Sequence, residues 1–210
     1  MSLISWLALG LALGLRHAFE ADHVAAVAAL ATRSTSRRQI VQVAGSWGAG
    51  HALVILAVGL AVTTCGLRLP PWLLDRLEGL VGLVLVALGL DVLRRLRSVH
   101  RQAHAHAGSH AIVQAASRRA LVVGGLHGLA GSAALVMATV PELRSPLGVL
   151  AYLGLFGVGS IVGMGLCSLA ISLPLQAGAH RVAGLANGLQ LTIGASSVLL
   201  GLWLALRPFG

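Results

Sequence analysis

The stretch GLRHAFEADHVAAV, residues 14–27, places one arginine, two histidines and two carboxylates inside an apolar run that covers about residues 2–31. A helix of roughly 20 apolar residues spans the ~30 Å hydrocarbon core of a bilayer. Each charged group that faced lipid near the middle of the run would cost about 2.5–3.5 kcal/mol. These side chains must therefore face the interior of the protein, where they contact one another or a ligand.

The composition of the whole chain indicates an integral membrane protein. Of the 210 residues, 57% are hydrophobic and only 10% are charged, which is far from the balance of soluble domains. The first apolar run lacks a basic segment before it and a cleavage-like site, so we interpret it as a span rather than a signal peptide. Six apolar runs have membrane-spanning length: about 2–31, 40–63, 73–93, 119–140, 147–173 and 183–206.

The connections between these runs are too short to form a soluble domain, since the longest covers only about residues 94–118. We therefore predict a single transmembrane domain over residues 1–210. It consists of a first repeat at about 1–95, a histidine-containing cytoplasmic loop at about 96–118 and a second repeat at about 119–210.

Weak internal similarity predicts that the two halves are copies of each other. WGAGH at 47–51 matches FGVGS at 156–160, and at the same offset of 109 residues ADHVAAV at 21–27 falls on AGSAALV at 130–136. Membrane helices rich in glycine and alanine also resemble one another through composition alone. If each copy has an odd number of spans, the two copies cross the membrane in opposite orientations. Inverted repeats of this kind recur in transporters. The predicted fold class is thus an all-α integral membrane protein with about six transmembrane helices in a 3+3 inverted repeat.

The net charge of +9 is explained by topology rather than by an acidic partner such as nucleic acid. Lysine is absent, and most arginines fall beside the odd-numbered connections: Arg33, Arg37, Arg38, Arg94, Arg95, Arg97, Arg101, Arg118, Arg119 and Arg181. The other side holds Arg68, Arg144 and Arg207. The excess of positive charge in cytoplasmic loops predicts that the odd-numbered connections are cytoplasmic and that both termini face outward.

The polar groups of the first run form a candidate metal site. Arg16 and Glu20 are four residues apart and can pair along a helix. On an ideal helix His17, Glu20 and His23 share an arc of about 120°, whereas Asp22 points to the far side. Either the helix is broken near Gly14 and His17, or Asp22 orients a histidine from behind.

Two further intramembrane histidines, His51 and His127, extend the candidate site to His17, Glu20, Asp22, His23, His51 and His127. Imidazole and carboxylate together suit nickel, cobalt or zinc, and the lack of a nearby thiolate argues against Cu(I). The alternative is a polar cluster that only holds helices together, which does not explain the predominance of histidine.

RHAFEADH at 16–23 closely resembles the signature of the nickel/cobalt transporter family, with His17, Asp22 and His23 on its H-x4-D-H core. GAGHALVIL at 48–56 is similar to the second motif of that family. The resemblance implies that the H-x4-D-H residues bind metal and are essential for uptake. GLHGLAGSAAL at 125–135 lacks the carboxylate found there in larger, eight-span members, so the chain resembles the shorter, urease-accessory type of nickel permease.

The tract HRQAHAHAGSH, residues 100–110, carries four histidines on the predicted cytoplasmic side: His100, His104, His106 and His110. Short histidine-rich tracts commonly bind metals, which predicts a metal buffer or sensor, and a plain linker is the alternative.

These observations predict a secondary transporter of a divalent transition metal, nickel or cobalt, in the bacterial cytoplasmic (inner) membrane. The metal is its substrate, and we expect no enzymatic activity, no cofactor and no nucleic-acid partner. The expected partners besides the ion and the lipid bilayer are further copies of the chain or metalloenzyme maturation proteins.

Other functions remain as alternatives to this prediction. They are metal efflux by the same fold, an amino-acid or organic-ion exporter of similar 3+3 architecture and a non-transporting accessory protein. An intramembrane metalloprotease would need a motif such as H-E-x-x-H, which is absent. A thiol carrier would need paired cysteines, whereas Cys65 and Cys167 are far apart in the sequence.

Overall fold

The computed structural model describes residues 3–32, 36–67, 69–98, 110–131, 145–181 and 183–207, and every regular element in these ranges is a helix. The helices are α1 (Leu3–His17), α2 (Ala21–Ala31), α3 (Arg37–Cys65), α4 (Pro71–Ser98), α5 (His110–Gly131), α6 (Pro146–Arg181) and α7 (Ala183–Leu206). The chain is therefore an all-α protein over its described length, as the sequence predicts.

The first apolar run is divided into two helices rather than forming one continuous span. α1 ends at His17, and the amide of Glu20 then donates a 3.0 Å hydrogen bond to the His17 carbonyl, which closes a tight turn. Glu20 has an extended backbone and precedes α2 as its N-cap. With 15 and 11 residues, neither helix alone covers the ~30 Å of a hydrocarbon core at about 1.5 Å per residue. The break that we gave as one of two alternatives is present.

Local sequence explains where the other helices begin and end. Ser36 caps α3 by accepting a 3.3 Å hydrogen bond from the Gln39 amide. Gly66 follows the last residue of α3, and its φ of 63° is the left-handed conformation that glycine adopts most easily. α4 and α6 both begin with proline. Proline has no amide hydrogen, and this is harmless at the first helical position because an amide there has no partner within the helix.

The helices α4 and α5 extend into the segment assigned to the cytoplasmic loop. α4 continues to Ser98 and α5 starts at His110, so only residues 99–109 separate them. His100, His104 and His106 lie outside the described residues, as do 132–144, the second part of the predicted fourth span.

Three of the described helices contain segments that are long and apolar enough to cross a membrane: Arg37–Cys65, Pro146–Leu173 and Ala186–Leu206. They correspond to the second, fifth and sixth predicted spans. Large apolar side chains such as Leu53 and Leu199 are more than half exposed on these helices. Exposed apolar surface of this kind fits a protein surrounded by lipid.

Glycines allow α1 to pack on α6 and α5 to pack on α3. A Cβ atom added at Gly14 would lie 2.0 Å from the Phe156 carbonyl oxygen, and one at Gly124 would lie 2.0 Å from the Trp47 carbonyl oxygen. Gly14 and Gly124 are 110 residues apart, and Trp47 and Phe156 are 109 apart. Each residue of the first contact thus has its counterpart in the second contact at nearly the same offset. Close backbone approach at small residues is the usual way in which helices associate in lipid.

Paired glycine contacts also occur where α4 packs on α7. A Cβ atom added at Gly82 would lie 2.5 Å from the Gly201 carbonyl oxygen, and one at Gly89 would lie 2.7 Å from the Gly194 carbonyl oxygen. The contacts that join the two halves of the chain are thus matched in pairs.

The glycine contacts predict a specific sensitivity on α6. Gly159→Ala places a methyl group 2.3 Å from the Leu11 carbonyl oxygen, so the helices must separate, at a cost of about 1–3 kcal/mol for overpacking. Gly154→Ala on the same helix meets nothing within 4 Å and serves as the matched control. Thermal stability of the detergent-purified proteins should fall for the first variant and stay equal or rise for the second. Equal stability of the two variants would contradict the close packing of α1 on α6.

Candidate metal centre

Four histidines from four different helices form a buried cluster: His17 of α1, His23 of α2, His51 of α3 and His127 of α5. We call this group the histidine cluster, and each of its members is at most 2% exposed. The ring centroid of His23 lies 4.3 Å from that of His17, 5.0 Å from that of His51 and 4.6 Å from that of His127. His23 is therefore the centre of the cluster.

The break between α1 and α2 brings His17 and His23 together. On a continuous helix, residues six positions apart would be separated by about 9 Å along the axis. The turn at residues 18–20 removes most of this separation. Near the end of α1, the Ser160 hydroxyl of α6 donates a 3.1 Å hydrogen bond to the Gly14 carbonyl and thereby anchors this helix end.

Close packing of α5 on α3 brings His127 towards His51. A Cβ atom added at Gly128 would lie 2.6 Å from the His51 carbonyl oxygen. The glycine that follows His127 in the chain thus lets its helix approach the backbone of His51.

The Asp22 carboxylate bridges two histidines of the cluster. Its Oδ1 lies 3.1 Å from His23 Nδ1, and its Oδ2 lies 2.9 Å from His127 Nε2. An ionised carboxylate only accepts hydrogen bonds, so the two ring nitrogens that face it donate. The other ring nitrogens, His23 Nε2 and His127 Nδ1, are buried and have no hydrogen-bond partner within the described part of the chain.

Buried ring nitrogens without a partner are costly unless they bind something. Leaving a buried polar atom unsatisfied costs about 1–3 kcal/mol. A histidine that donates one ring N–H to a carboxylate and offers the other nitrogen outward has the usual arrangement of a metal ligand. The structure thus contains both the helix break and a carboxylate in contact with two histidine rings, the contacts that an orienting role of Asp22 requires.

Two sets of side chains within the described residues can hold a metal ion: His17, His23 and His51, and Asp22, His23 and His127. In each set the ligand atoms all lie within 4.8 Å of one another. Two nitrogens that bind one ion at about 2.1 Å are at most about 4.2 Å apart, so modest side-chain rotations suffice to close either set. An ion bound by His17, His23 and His51 leaves the contacts of Asp22 with His23 and His127 in place. An ion bound by Asp22, His23 and His127 would compete with those contacts for the same atoms.

Glu20 stands at the edge of the cluster rather than within it. Its side chain is 53% exposed, and its Oε2 lies 2.9 Å from His17 Nδ1. The pair that we expected between Glu20 and Arg16 is absent among the described contacts. An ion pair at this spacing requires a continuous helix, and α1 ends between the two residues.

Glu20 and Asp22 also line a cavity of about 390 Å³ between α2, the beginning of α4 and the end of α7. Asp75 and Glu78 of α4 line it as well, so the wall carries four of the six acidic residues of the chain. We call it the acid-lined cavity. Arg207 donates to Glu78 at 3.1 Å and offsets part of this negative charge.

The sequence interpretation did not identify Trp47, Asp75 or Glu78 as neighbours of the site. The Trp47 ring centroid lies 5.5 Å from those of His23 and His127. A signal for Trp47 was present, because residues four positions apart on a helix share a face and His51 follows at that spacing. For the two carboxylates there was no such signal, since their approach depends on how α4 packs.

Comparison with known proteins finds a relative along most of the chain. The urease accessory protein UreH of Bacillus sp. (strain TB-90) is 30% identical over 188 residues, which cover 87% of this chain and 82% of the relative. No protein-family model matches the sequence, and no solved structure matches it. Identity at this level along most of both chains means that the protein belongs to the family of the urease accessory protein UreH.

Proposed function

We propose that this protein is a secondary transporter, a permease that carries a divalent transition-metal ion across the cytoplasmic (inner) membrane. The observation that carries the proposal is the histidine cluster, in which the buried rings of His17, His51 and His127 all have their centroids within 5.0 Å of that of His23. A cluster that served only for packing would leave no reason for His23 Nε2 and His127 Nδ1 to lack hydrogen-bond partners among the described residues.

The donor chemistry of the cluster favours nickel or cobalt as the transported ion. Imidazole and carboxylate ligands suit these metals, whereas Cu(I) selects thiolates. Cys65 is exposed at the end of α3 and Cys167 belongs to an apolar core, so neither supplies a ligand to the cluster. The resemblance of RHAFEADH to the nickel/cobalt transporter signature and the membership in the UreH family support nickel in particular.

The acid-lined cavity is the route by which the ion reaches the cluster in this proposal. Carboxylates in a concave site raise the local concentration of cations. Glu20 and Asp22 line the cavity and also contact His17, His23 and His127, so they connect the two places. An inside-negative potential contributes about 4.6 kcal/mol per 100 mV to the entry of a doubly charged ion, which favours uptake without ATP.

The matched glycine contacts support a 3+3 inverted repeat with six spans. In such transporters the substrate site lies near the midplane, at the interface of the two halves. The histidine cluster draws His17 and His23 from the first half and His127 from the second half. The arginine distribution adds an orientation with both termini outside.

Metal efflux by the same fold is the closest alternative, because the cluster and the cavity favour a metal ion without fixing the direction of transport. An amino-acid or organic-ion exporter of this architecture leaves the histidine cluster without a purpose.

Replacing His23 or His51 with alanine should abolish metal accumulation, because each change removes one nitrogen of the three-imidazole set. Nickel and cobalt contents of cells are measured with and without each variant, together with the amount of protein in the membrane. Joint replacement of His100, His104, His106 and His110 is the control and should change the concentration dependence without abolishing transport. A well-inserted His51→Ala protein that accumulates metal like the parent would reduce the cluster to a packing element.

Asp22→Asn should weaken metal binding by about 10–100-fold, which is the usual effect of losing a carboxylate behind a ligating histidine. The amide offers one acceptor oxygen, so one of the two rings loses its acceptor. Equilibrium titration of the purified protein with nickel measures the effect. Asp91→Asn, which alters an ion pair with Arg95 on α4, is the matched control and should bind nickel normally. Unchanged affinity in Asp22→Asn would refute the orienting role.

A further inference from the structure

We propose that Trp47 is the barrier that closes the histidine cluster off from the end of the helices opposite the acid-lined cavity, so that an ion leaves the cluster only when this side chain moves. The inference rests on the proposed transport function and adds the residue that controls access to the site.

Trp47 forms one wall of the histidine cluster. Its side chain is fully buried. Its ring centroid lies 5.5 Å from those of His23 and His127 and 6.1 Å from that of His51, on which it stacks. An ion held by these imidazoles would therefore meet the indole ring if it moved towards the beginning of α3.

The far side of Trp47 is narrow and mostly apolar. Trp47 lines a small cavity together with Ser168 and a group of apolar residues, Val27, Leu30, Ala31, Ile40, Val43 and Ala44. The cavity measures only about 10 Å³, which is at the lower limit for a single water molecule. The acid-lined cavity has about 390 Å³ and four carboxylates, so access to the cluster is strongly asymmetric.

The two cavities lie at opposite ends of the helices. The small cavity is lined by the last turns of α2 and the first turns of α3, whereas the acid-lined cavity is lined by the beginning of α4 and the end of α7. α3 ends at Cys65, and α4 begins six residues later at Pro71. The beginning of α4 is thus near the end of α3 and away from Trp47.

A dry apolar passage is an effective barrier to a cation. A charge that enters it loses hydration without gaining ligands, and hydrophobic constrictions close membrane pathways by excluding water. A transporter requires such a barrier on one side of its site while the other side is open.

The indole ring is also free of polar restraints within the described part of the chain. Its Nε1 is buried there without a hydrogen-bond partner. Rotation of the ring therefore breaks no hydrogen bond of this nitrogen, and exposure of the N–H to water is favourable. Both effects lower the cost of opening.

Cysteine accessibility tests the barrier directly. In a background with Cys65→Ser and Cys167→Ala, one reporter is Ala44→Cys, one helical turn beyond Trp47, and the other is Leu74→Cys in the acid-lined cavity. A small, membrane-impermeant cationic thiosulfonate is applied to sealed vesicles from the side on which Leu74→Cys reacts. Trp47→Ala should increase the reaction rate of Ala44→Cys at least about tenfold, equivalent to a barrier lower by about 1.4 kcal/mol.

The control variant is Trp47→Phe, which retains an aromatic ring and should keep Ala44→Cys slow to react. Leu74→Cys should react at the same rate whichever residue occupies position 47. Fast labelling of Ala44→Cys with Trp47 in place would overturn the proposal. This outcome can be observed even if the Trp47→Ala protein does not fold. An unchanged slow rate in a well-inserted Trp47→Ala protein would overturn it as well.

Nickel binding separates the barrier from the proposed function. Absence of nickel binding in the parent itself would refute the metal site, while the labelling rates would still decide whether Trp47 closes the passage.

Discussion

The bridge from the Asp22 carboxylate to the rings of His23 and His127 is the interaction on which the site depends. It links α2 to α5 and selects which nitrogen of each ring carries the hydrogen. A carboxylate that is 18% exposed among buried imidazoles keeps its two acceptor atoms occupied. Because both rings donate to it, their remaining nitrogens are directed elsewhere, and this makes the cluster suitable for a cation.

The backbone is shaped to make this bridge possible. A continuous first helix would carry His17 and Asp22 on different faces, whereas with the turn at residues 18–20 both side chains contact His23. The break costs helical hydrogen bonds, and its turn forms two replacements of 3.0 Å, from Phe19 to Arg16 and from Glu20 to His17. Gly14 lets α1 pack closely on α6, and Gly128 lets α5 pack closely on α3. This close packing buries the cluster.

The histidines and carboxylates that the structure brings together could be named from the sequence, but the contacts that each of them makes could not. Ionisable groups in an apolar run are costly, and this cost directed attention to Arg16, Glu20 and Asp22, whereas imidazole chemistry and the family signature added His17 and His23. Whether Asp22 would contact a histidine 105 positions away depends on how α5 packs, which no local pattern encodes. The pairing of Glu20 with Arg16 was expected from helical spacing and failed because the helix ends between them.

The helical class was equally predictable from composition, and the described helices agree with it. Local signals such as Ser36 and Gly66 explain helix ends, whereas the acid-lined cavity arises from contacts between α2, α4 and α7 that are distant in the sequence. The matched glycine contacts had only a faint trace in the sequence, the offset of about 109 residues between similar segments.

X-ray absorption at the nickel edge of the purified, nickel-loaded protein tests the central claim most directly, because it identifies the atoms bound to the ion. The account predicts nitrogen and oxygen ligands at about 2.0–2.1 Å with the outer-shell scattering of several imidazole rings, and no sulfur ligand. This signal should weaken in His23→Ala protein. Nickel bound without imidazole, or a spectrum unchanged by the loss of His23, would contradict a metal site in the histidine cluster.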